Sequence, residues 1–230
     1  MTKLKYLLAI FDMDGTILNT LEDLTRTTNA ALAAQGMPQH TMNEVRLMVG
    51  NGIRRLIERA VPAGTAAPVI EETLTVFNQY YAAHCGDHTC PYPGIPELLQ
   101  ALRQAGMYTA VVSNKADYGV QELCRQYFPG QFDVAVGQRD GIRTKPAPDA
   151  VLAVLKQLQV APEQAVFIGD SDVDVCTARN AGLPCFAVDW GFRERTVLEQ
   201  AGATAIFSDA AALQQALLEN TAAHPQNSRR

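Results

Sequence analysis

The feature that most constrains the fold is a series of short, almost uninterrupted apolar runs. Such runs are typical of strands that are buried on both faces, as in a parallel sheet. They occupy residues 6–11, 107–112, 165–168, 185–188 and 204–207. Strands that alternate with helices predict right-handed crossovers between neighbouring strands. We therefore expect an α/β fold with a doubly wound, Rossmann-like parallel sheet as its core.

Apolar residues at helical spacing lie between several of these runs. Three helical faces are indicated by Ile95, Leu98, Leu99 and Leu102, by Val120, Leu123, Cys124 and Tyr127, and by Val151, Leu152, Leu155 and Leu158. The proline and aspartate at 148–149 are typical of the start of the third helix.

Residues 16–86 interrupt the alternation of strands and helices. They contain helical patterns and no convincing strand, so we predict a helical insertion after the first strand. Prolines and a glycine in the stretch CPYPGIPELL mark the return of the chain. The predicted organisation is a core of residues 1–15 and 87–220, a helical insertion of residues 16–86 and a flexible tail of residues 221–230.

The composition excludes several classes of protein. With 230 residues, of which 47% are hydrophobic, the chain can form a large core plus an insertion. The net charge of -5 gives no field that attracts nucleic acid, and no apolar run is long enough to span a membrane. The first apolar run ends in aspartates rather than in a cleavage site, so we expect no signal peptide and a cytoplasmic location. Five cysteines, an odd number, indicate reduced thiols.

The stretch HCGDHTC contains four possible zinc ligands, His84, Cys85, His88 and Cys90. All four lie within seven residues, and a loop this short wraps a tetrahedral ion poorly. We therefore interpret this stretch as a polar connector.

An acidic pair follows the first predicted strand, in the stretch FDMDGT. Asp12 and Asp14 stand where open α/β sheets bind their ligands, beyond the carboxyl end of a strand. Two close carboxylates repel each other unless a cation or a shared proton is present, and Mg²⁺ prefers such oxygen ligands. A calcium loop is excluded because Thr16 occupies its fifth position. A solvated turn is the remaining alternative.

Three further polar groups lie further along the chain, and the first and the last of them come directly after predicted strands. Ser113 and Asn114 could hold a phosphoryl group or cap a helix, and Lys145 could neutralise a phosphate or be an ordinary surface lysine. A cluster of three aspartates, Asp170, Asp172 and Asp174, could bind a cation or begin the next helix. Because strand ends of a parallel sheet meet at one edge, we expect these groups to converge on Asp12 and Asp14.

In this order, the motifs resemble those of haloacid dehalogenase (HAD) superfamily phosphatases with a helical C1-type cap. The resemblance covers residues 5–215. The phosphoglycolate phosphatase group is the most similar, on the stretches VGNGIRRLIERA, YPGIPELLQALRQAG, KPAPDAVLAVL, GDSDVDVCTARNAG and VDWGFRERTVLEQAGA. The family pattern commonly has Asp-Ser where this chain has Asn19 and Thr20, near the hinge of the cap.

The resemblance implies a role for each of these groups. Asp12 would attack the phosphorus and form an aspartyl-phosphate, and Asp14 would protonate the leaving group and then activate water. Asp12, Asp170 and the backbone carbonyl of Asp14 would bind Mg²⁺. Asp174 would orient the water molecules of the metal, and Ser113 and the backbone amide of Asn114 would bind phosphate oxygens. Lys145 would supply a fixed positive charge, and Thr16 would form a hydrogen bond near Asp12.

The cap would select the substrate. Arg54 or Arg55 at the start of a cap helix could bind a carboxylate, which would suit 2-phosphoglycolate, although both could equally be solvated. The leading hypothesis is a Mg²⁺-dependent phosphatase that hydrolyses a small phosphorylated metabolite. A sugar-phosphate mutase, a haloacid dehalogenase and a non-catalytic phosphate-binding module are the alternatives, and the sequence does not indicate whether the protein is a monomer or a homodimer.

Overall fold

The computed structural model describes residues 4–219, so the predicted tail lies outside the described residues. In chain order, the strands of this part are β1 (Leu8–Phe11), β2 (Leu18–Asn19), β3 (Cys90–Pro91), β4 (Tyr108–Ala116), β5 (Val134–Gln138), β6 (Ala165–Gly169), β7 (Cys185–Val188) and β8 (Ala205–Phe207). The helices are α1 (Leu21–Ala34), α2 (Met42–Met48), α3 (Ile53–Ala60), α4 (Ala67–His84), α5 (Ile95–Gln104), α6 (Asp117–Tyr127), α7 (Asp149–Leu158), α8 (Asp172–Ala181), α9 (Arg195–Ala201) and α10 (Ala210–Leu218).

Six strands form one parallel sheet in the order β5-β4-β1-β6-β7-β8. The central strand β1 is fully buried on both faces, with Leu8 and Ile10 in one apolar cluster and Ala9 and Phe11 in the other. Two-sided burial explains why its sequence is continuously apolar. The predicted doubly wound α/β fold is thereby confirmed.

Strand β5 was missed by the sequence prediction. It lies at the edge of the sheet, and only Val134 and Gly137 of its five residues are buried, so its apolar run is short. The predicted face of α7 is also partly wrong, because Val154 is buried in place of Leu152, which is 45% exposed.

Helices α1–α4, which we call the cap helices, lie between β1 and the return of the chain to the sheet. α1 and α4 pack closely along each other, and Phe77 stacks on Tyr81 at a centroid distance of 5.4 Å. The short strands β2 and β3 pair antiparallel where the chain leaves and re-enters the core. The exact limits of the predicted domains stay a prediction.

Helix α2 was not predicted, although its start carries a recognisable signal. The hydroxyl of Thr41 accepts a hydrogen bond from the backbone N–H of Glu44, and the Glu44 carboxylate accepts one from the backbone N–H of Thr41. This reciprocal arrangement is a capping box.

The segment with the four possible zinc ligands joins α4 to β3. His84 contacts Asp87 at 2.8 Å, and the carboxylate of Asp23 accepts hydrogen bonds from the backbone N–H groups of His88 and Thr89. All five cysteines are free thiols. Among residues 4–219, no helix combines the length and apolar character that crossing a bilayer requires.

Candidate active site

The carboxyl ends of three neighbouring strands place the predicted site residues together. β1 lies between β4 and β6, with Phe11 in register with Val111 on one side and Ile168 on the other. Asp12 therefore emerges beside Asp170, which follows β6, and close to Ser113 in β4.

A small cavity of about 40 Å³ separates these strand ends from the cap helices. It leaves room for only a few water molecules. Its lining combines core and cap residues: Asp12, Asp14, Leu24, Val49, Gly50, Gly52, Ile53, Leu56, Tyr81, Ser113, Asn114, Lys115, Asp170, Ser171, Phe192 and Arg193.

Three buried carboxylates form the centre of the site. Asp12, Asp170 and Asp174 each place an oxygen within 4.8 Å of the others. Burial raises the pKa of Asp12 to about 6, with Lys145 lowering it and Asp174 adding to the rise. Burial, reinforced by the charges of Asp174 and Asp12, raises the pKa of Asp170 to about 8. The ionised cluster is therefore costly without a cation.

The donor set fits a hard divalent cation such as Mg²⁺. All of its members offer oxygen, and Asp12 and Asp170 each have unused lone pairs, because each carboxylate accepts only two hydrogen bonds or ion-pair contacts. Asp174 is more fully engaged, since one oxygen contacts Lys145 and the other accepts from the N–H and hydroxyl of Ser171. This suits Asp174 to an orienting position rather than to direct coordination.

Lys145 is buried and lies between two of these carboxylates. Its Nζ is 2.8 Å from Asp12 Oδ1 and 2.7 Å from Asp174 Oδ1. The side chain of Asn114 fixes the backbone of Lys145, accepting from its N–H and donating to its carbonyl, and also donates to the carbonyl of Gly50. Asn114 thus links β4, the lysine and the loop before α3.

The two remaining candidates, Thr16 and Arg54, lie in different surroundings. The hydroxyl of Thr16 donates to Asp170 Oδ1 at 3.1 Å, within the carboxylate cluster that includes Asp12. Arg54 does not line the cavity, because it projects from the solvent side of α3 and its guanidinium binds Glu71 through two contacts of 2.7 and 2.9 Å. Arg55 is likewise exposed and contacts Glu58.

The structure also reveals site residues that the sequence analysis did not assign. Lys115 is buried, and its Nζ donates to Asp14 Oδ1 at 2.8 Å and to the hydroxyl of Tyr81 on α4. The hydroxyl of Thr20 donates to the same oxygen of Asp14 at 2.8 Å. Burial opposes the charge on Lys115, but Asp14 and Tyr81 outweigh it and raise the pKa of the ammonium, while burial raises the pKa of the Tyr81 phenol. Lys115 is therefore charged and Tyr81 neutral at neutral pH.

The sequence signal for this group was only partial. Lys115 stands directly after Ser113 and Asn114, in the motif already associated with the site. Tyr81 gave no separate signal, because it continues the apolar face of its helix.

The loop between β7 and α9 connects the acidic cluster to the cap helices. The backbone N–H of Phe192 donates to Asp170 Oδ2 at 2.7 Å, and its carbonyl accepts from Arg46 at 2.6 Å. Arg193 donates in return to the carbonyls of Arg46 and Val49 at the end of α2. These contacts connect Asp170 to the end of α2 in the cap.

Comparisons with known proteins agree with this architecture. Residues 9–188 match the family model of the haloacid dehalogenase-like hydrolases. The phosphoglycolate phosphatase of Psychrobacter arcticus is 34% identical over 230 residues, covering 96% of this chain and 98% of that protein. The N-acetylmuramic acid 6-phosphate phosphatase of Pseudomonas aeruginosa is 33% identical over 193 residues, covering 84% of this chain and 85% of that protein.

A solved structure gives the same result. The crystal structure of a "putative phosphoglycolate phosphatase" from Lactobacillus delbrueckii superposes with a TM-score of 0.89 at 39% identity, covering 94% of this chain and 99% of that one. The family match spans most of the chain, and the expected strand-end carboxylates converge. The chain belongs to the haloacid dehalogenase-like hydrolases.

Proposed function

We propose that this phosphatase hydrolyses a small phosphomonoester in a Mg²⁺-dependent reaction, and that 2-phosphoglycolate or a similar metabolite is its substrate. The observation that carries the proposal is the cluster of Asp12, Asp170 and Asp174 around Lys145, which lies beside Asp14 beneath the cap. A cytoplasmic location belongs to the same proposal.

Asp12 is the proposed nucleophile. One of its oxygens is held by the N–H of Met13 and by Lys145, which leaves the other oxygen free to attack phosphorus and form an aspartyl-phosphate. Asp12, Asp170 and the backbone carbonyl of Asp14 would hold Mg²⁺, whose charge would offset the repulsion between the carboxylate and the phosphate dianion. Thr16 and the backbone of Phe192 keep Asp170 oriented towards this position.

Asp14 is the proposed acid and base at the leaving-group side. Thr20 and Lys115 both bind its Oδ1, so Oδ2 is the oxygen available to the departing alkoxide and, later, to water. These two contacts restrict the rotation of the carboxylate, which keeps it directed to one place.

Ser113, Asn114 and Lys145 are the proposed ligands of the phosphate. Ser113 lines the cavity, and the side chain of Asn114 is occupied elsewhere, so only its backbone amide remains for a phosphate oxygen. Lys145 supplies a buried positive charge beside the nucleophile, where charge spreads in the transition state.

The small volume of the cavity and the names of the relatives support a small acidic substrate. Both relatives are named for phosphate esters of acids, glycolate in one case and N-acetylmuramic acid in the other. Glycolate is the smaller of the two leaving groups and needs less space beneath the cap.

Phosphate release from a panel of phosphomonoesters tests the proposal. We expect Mg²⁺-dependent release that EDTA abolishes, with the highest kcat/KM for 2-phosphoglycolate. Asp12→Asn should abolish turnover, whereas the matched change Asp172→Asn, at a side chain that is 49% exposed, should not. Turnover that survives in Asp12→Asn would contradict the assignment of the nucleophile.

A further inference from the structure

We infer that Lys115 and Tyr81 form a binding site for a carboxylate on the leaving group, so that the enzyme selects phosphate esters of short hydroxy acids. This inference rests on the proposed phosphatase function and names the residues that would give it selectivity. It replaces Arg54, which faces solvent, as the expected partner of such a carboxylate.

Lys115 and Tyr81 together have two hydrogen-bond donors that remain unused among the described residues. The ammonium of Lys115 has three N–H groups, and it donates to only two groups, Asp14 and Tyr81. The hydroxyl of Tyr81 accepts from Lys115, which leaves its own hydrogen without an acceptor in this part of the chain. Both side chains line the cavity, so a bound anion could accept from each.

The position of these donors fits the leaving-group side of the substrate. Lys115 Nζ lies 2.8 Å from Oδ1 of Asp14, the proposed acid for the departing oxygen. An ester oxygen at Asp14 and a carboxylate at Lys115 must therefore be close together, as they are when one carbon joins the ester oxygen to the carboxyl group. A leaving group with a longer chain between the ester oxygen and the carboxylate would not place the carboxylate there.

The other cation of the cavity is already engaged. Arg193 donates from Nη1 and Nη2 to the backbone carbonyls of Arg46 and Val49, which fixes its guanidinium against the end of α2. Among the cations that line the cavity, Lys115 is the one in contact with Asp14, so its free N–H lies on the leaving-group side.

The cap wall of the cavity offers little to a hydroxyl-rich substrate. Apart from Tyr81, the cap residues that line it are glycines and the apolar residues Leu24, Val49, Ile53 and Leu56. A sugar placed here would bury hydroxyl groups without partners, which is unfavourable. The same apolar surroundings strengthen an ion pair between Lys115 and a carboxylate.

Two substrates of nearly equal size test this inference. 2-Phosphoglycolate and 2-hydroxyethyl phosphate share a two-carbon skeleton and differ in the terminal group, a carboxylate in one and a neutral alcohol in the other. We expect wild-type kcat/KM to favour 2-phosphoglycolate by roughly 10- to 100-fold, as for loss of a charged hydrogen-bonding group.

Variants separate recognition from general damage to the site. Lys115→Met and Tyr81→Phe should each reduce this preference, the first nearly to unity and the second by about tenfold, mainly through KM. Tyr80→Phe is the control, because it removes a neighbouring hydroxyl on the same helix from a side chain that does not line the cavity. If Lys115→Met does not fold, Tyr81→Phe alone tests the inference, because this variant retains the Lys115–Asp14 ion pair.

The ratio of kcat/KM for the two substrates distinguishes a failure of this inference from a failure of the proposed function. If the variants lost kcat/KM equally for both substrates, Lys115 and Tyr81 would only position Asp14. That result would overturn the inference and leave the proposed function intact. If the wild type hydrolyses neither ester, the proposed function fails. In that case, the affinities of the two esters for Mg²⁺-loaded Asp12→Asn protein are measured by calorimetry, which tests carboxylate binding without turnover. Equal affinities for the two esters would refute the inference.

Discussion

The buried acidic cluster should make the metal-free protein less stable as the pH rises. The pKa of Asp170 is raised from 3.8 to about 8, so the folded state holds a proton there that the unfolded chain has already lost. The unfolded state therefore binds fewer protons, and the free energy of unfolding decreases with pH between these two values. Between pH 5.5 and pH 8, the Asp170 carboxyl alone lowers the free energy of unfolding by about 3 kcal/mol. This corresponds to a decrease in Tm of roughly 6–12 °C for a chain of this size.

Mg²⁺ should reverse this effect, because it binds the ionised carboxylates. The expected increase in Tm on adding Mg²⁺ is therefore larger at pH 8 than at pH 5.5. The assay is thermal denaturation in EDTA and in excess Mg²⁺ at both pH values.

Asp170→Asn is the matched control for this experiment. It retains the four histidines and all other titrating groups, so the difference between wild type and variant reports the Asp170 carboxyl together with its effect on Asp12. Carboxylates with lowered pKa values, such as Asp117 and Asp149, are already ionised across this range and do not contribute. If Tm decreased equally in the metal-free wild type and in Asp170→Asn between pH 5.5 and pH 8, the raised pKa of Asp170 would not be the cause of the pH dependence.

Three further substitutions test separate parts of the site. Lys145→Met removes the cation of the acidic cluster and should lower the free energy of unfolding in urea by about 3–5 kcal/mol without metal, and by less with Mg²⁺. An equal decrease under both conditions would argue against the view that Lys145 and Mg²⁺ neutralise the same carboxylates. Gly191→Ala places a Cβ 2.4 Å from Asp170 and should weaken Mg²⁺ binding by about 10- to 100-fold in calorimetry, whereas unchanged affinity would show that the loop can shift. Arg54→Ala should leave KM for 2-phosphoglycolate unchanged, and a large rise in KM would contradict its placement against Glu71.

Much of the fold could be predicted because its main determinants are local in the sequence. A strand buried on both faces must be continuously apolar, and β1 shows this over its whole length. β5 was missed because an edge strand requires less burial. Helix α2 is too short for its periodicity to be recognised, and the capping box of Thr41 and Glu44 was the available signal.

The core of the site could be predicted for a topological reason, whereas the cap contacts could not. Strand ends of a parallel sheet share one edge, so Asp12, Ser113 and Asp170, which follow predicted strands, were expected to meet without knowledge of side-chain packing. The contact of Lys115 with Tyr81 depends on how α4 lies over β4, which no periodicity encodes. The exposure of Arg54 was accessible in principle, because Leu56, Ile57 and Ala60 already define the buried face of α3 and direct its first arginines outwards.

The two sides of the proposed reaction depend on different parts of the molecule. The side chains around the nucleophile and the metal position come from the core, since Asp12, Asp170, Asp174 and Lys145 follow strands of the sheet or lie near them. Asp14 differs, because it is held by Thr20 at the start of the cap and by Lys115, which in turn contacts Tyr81 on α4. Movement of the cap must therefore disturb the acid and the leaving-group pocket more than the nucleophile. It follows that substitutions of the cap residues around Asp14 can change which alcohol is released while the contacts of Asp12 remain intact, whereas substitutions at Arg46 also reach Asp170 through Phe192.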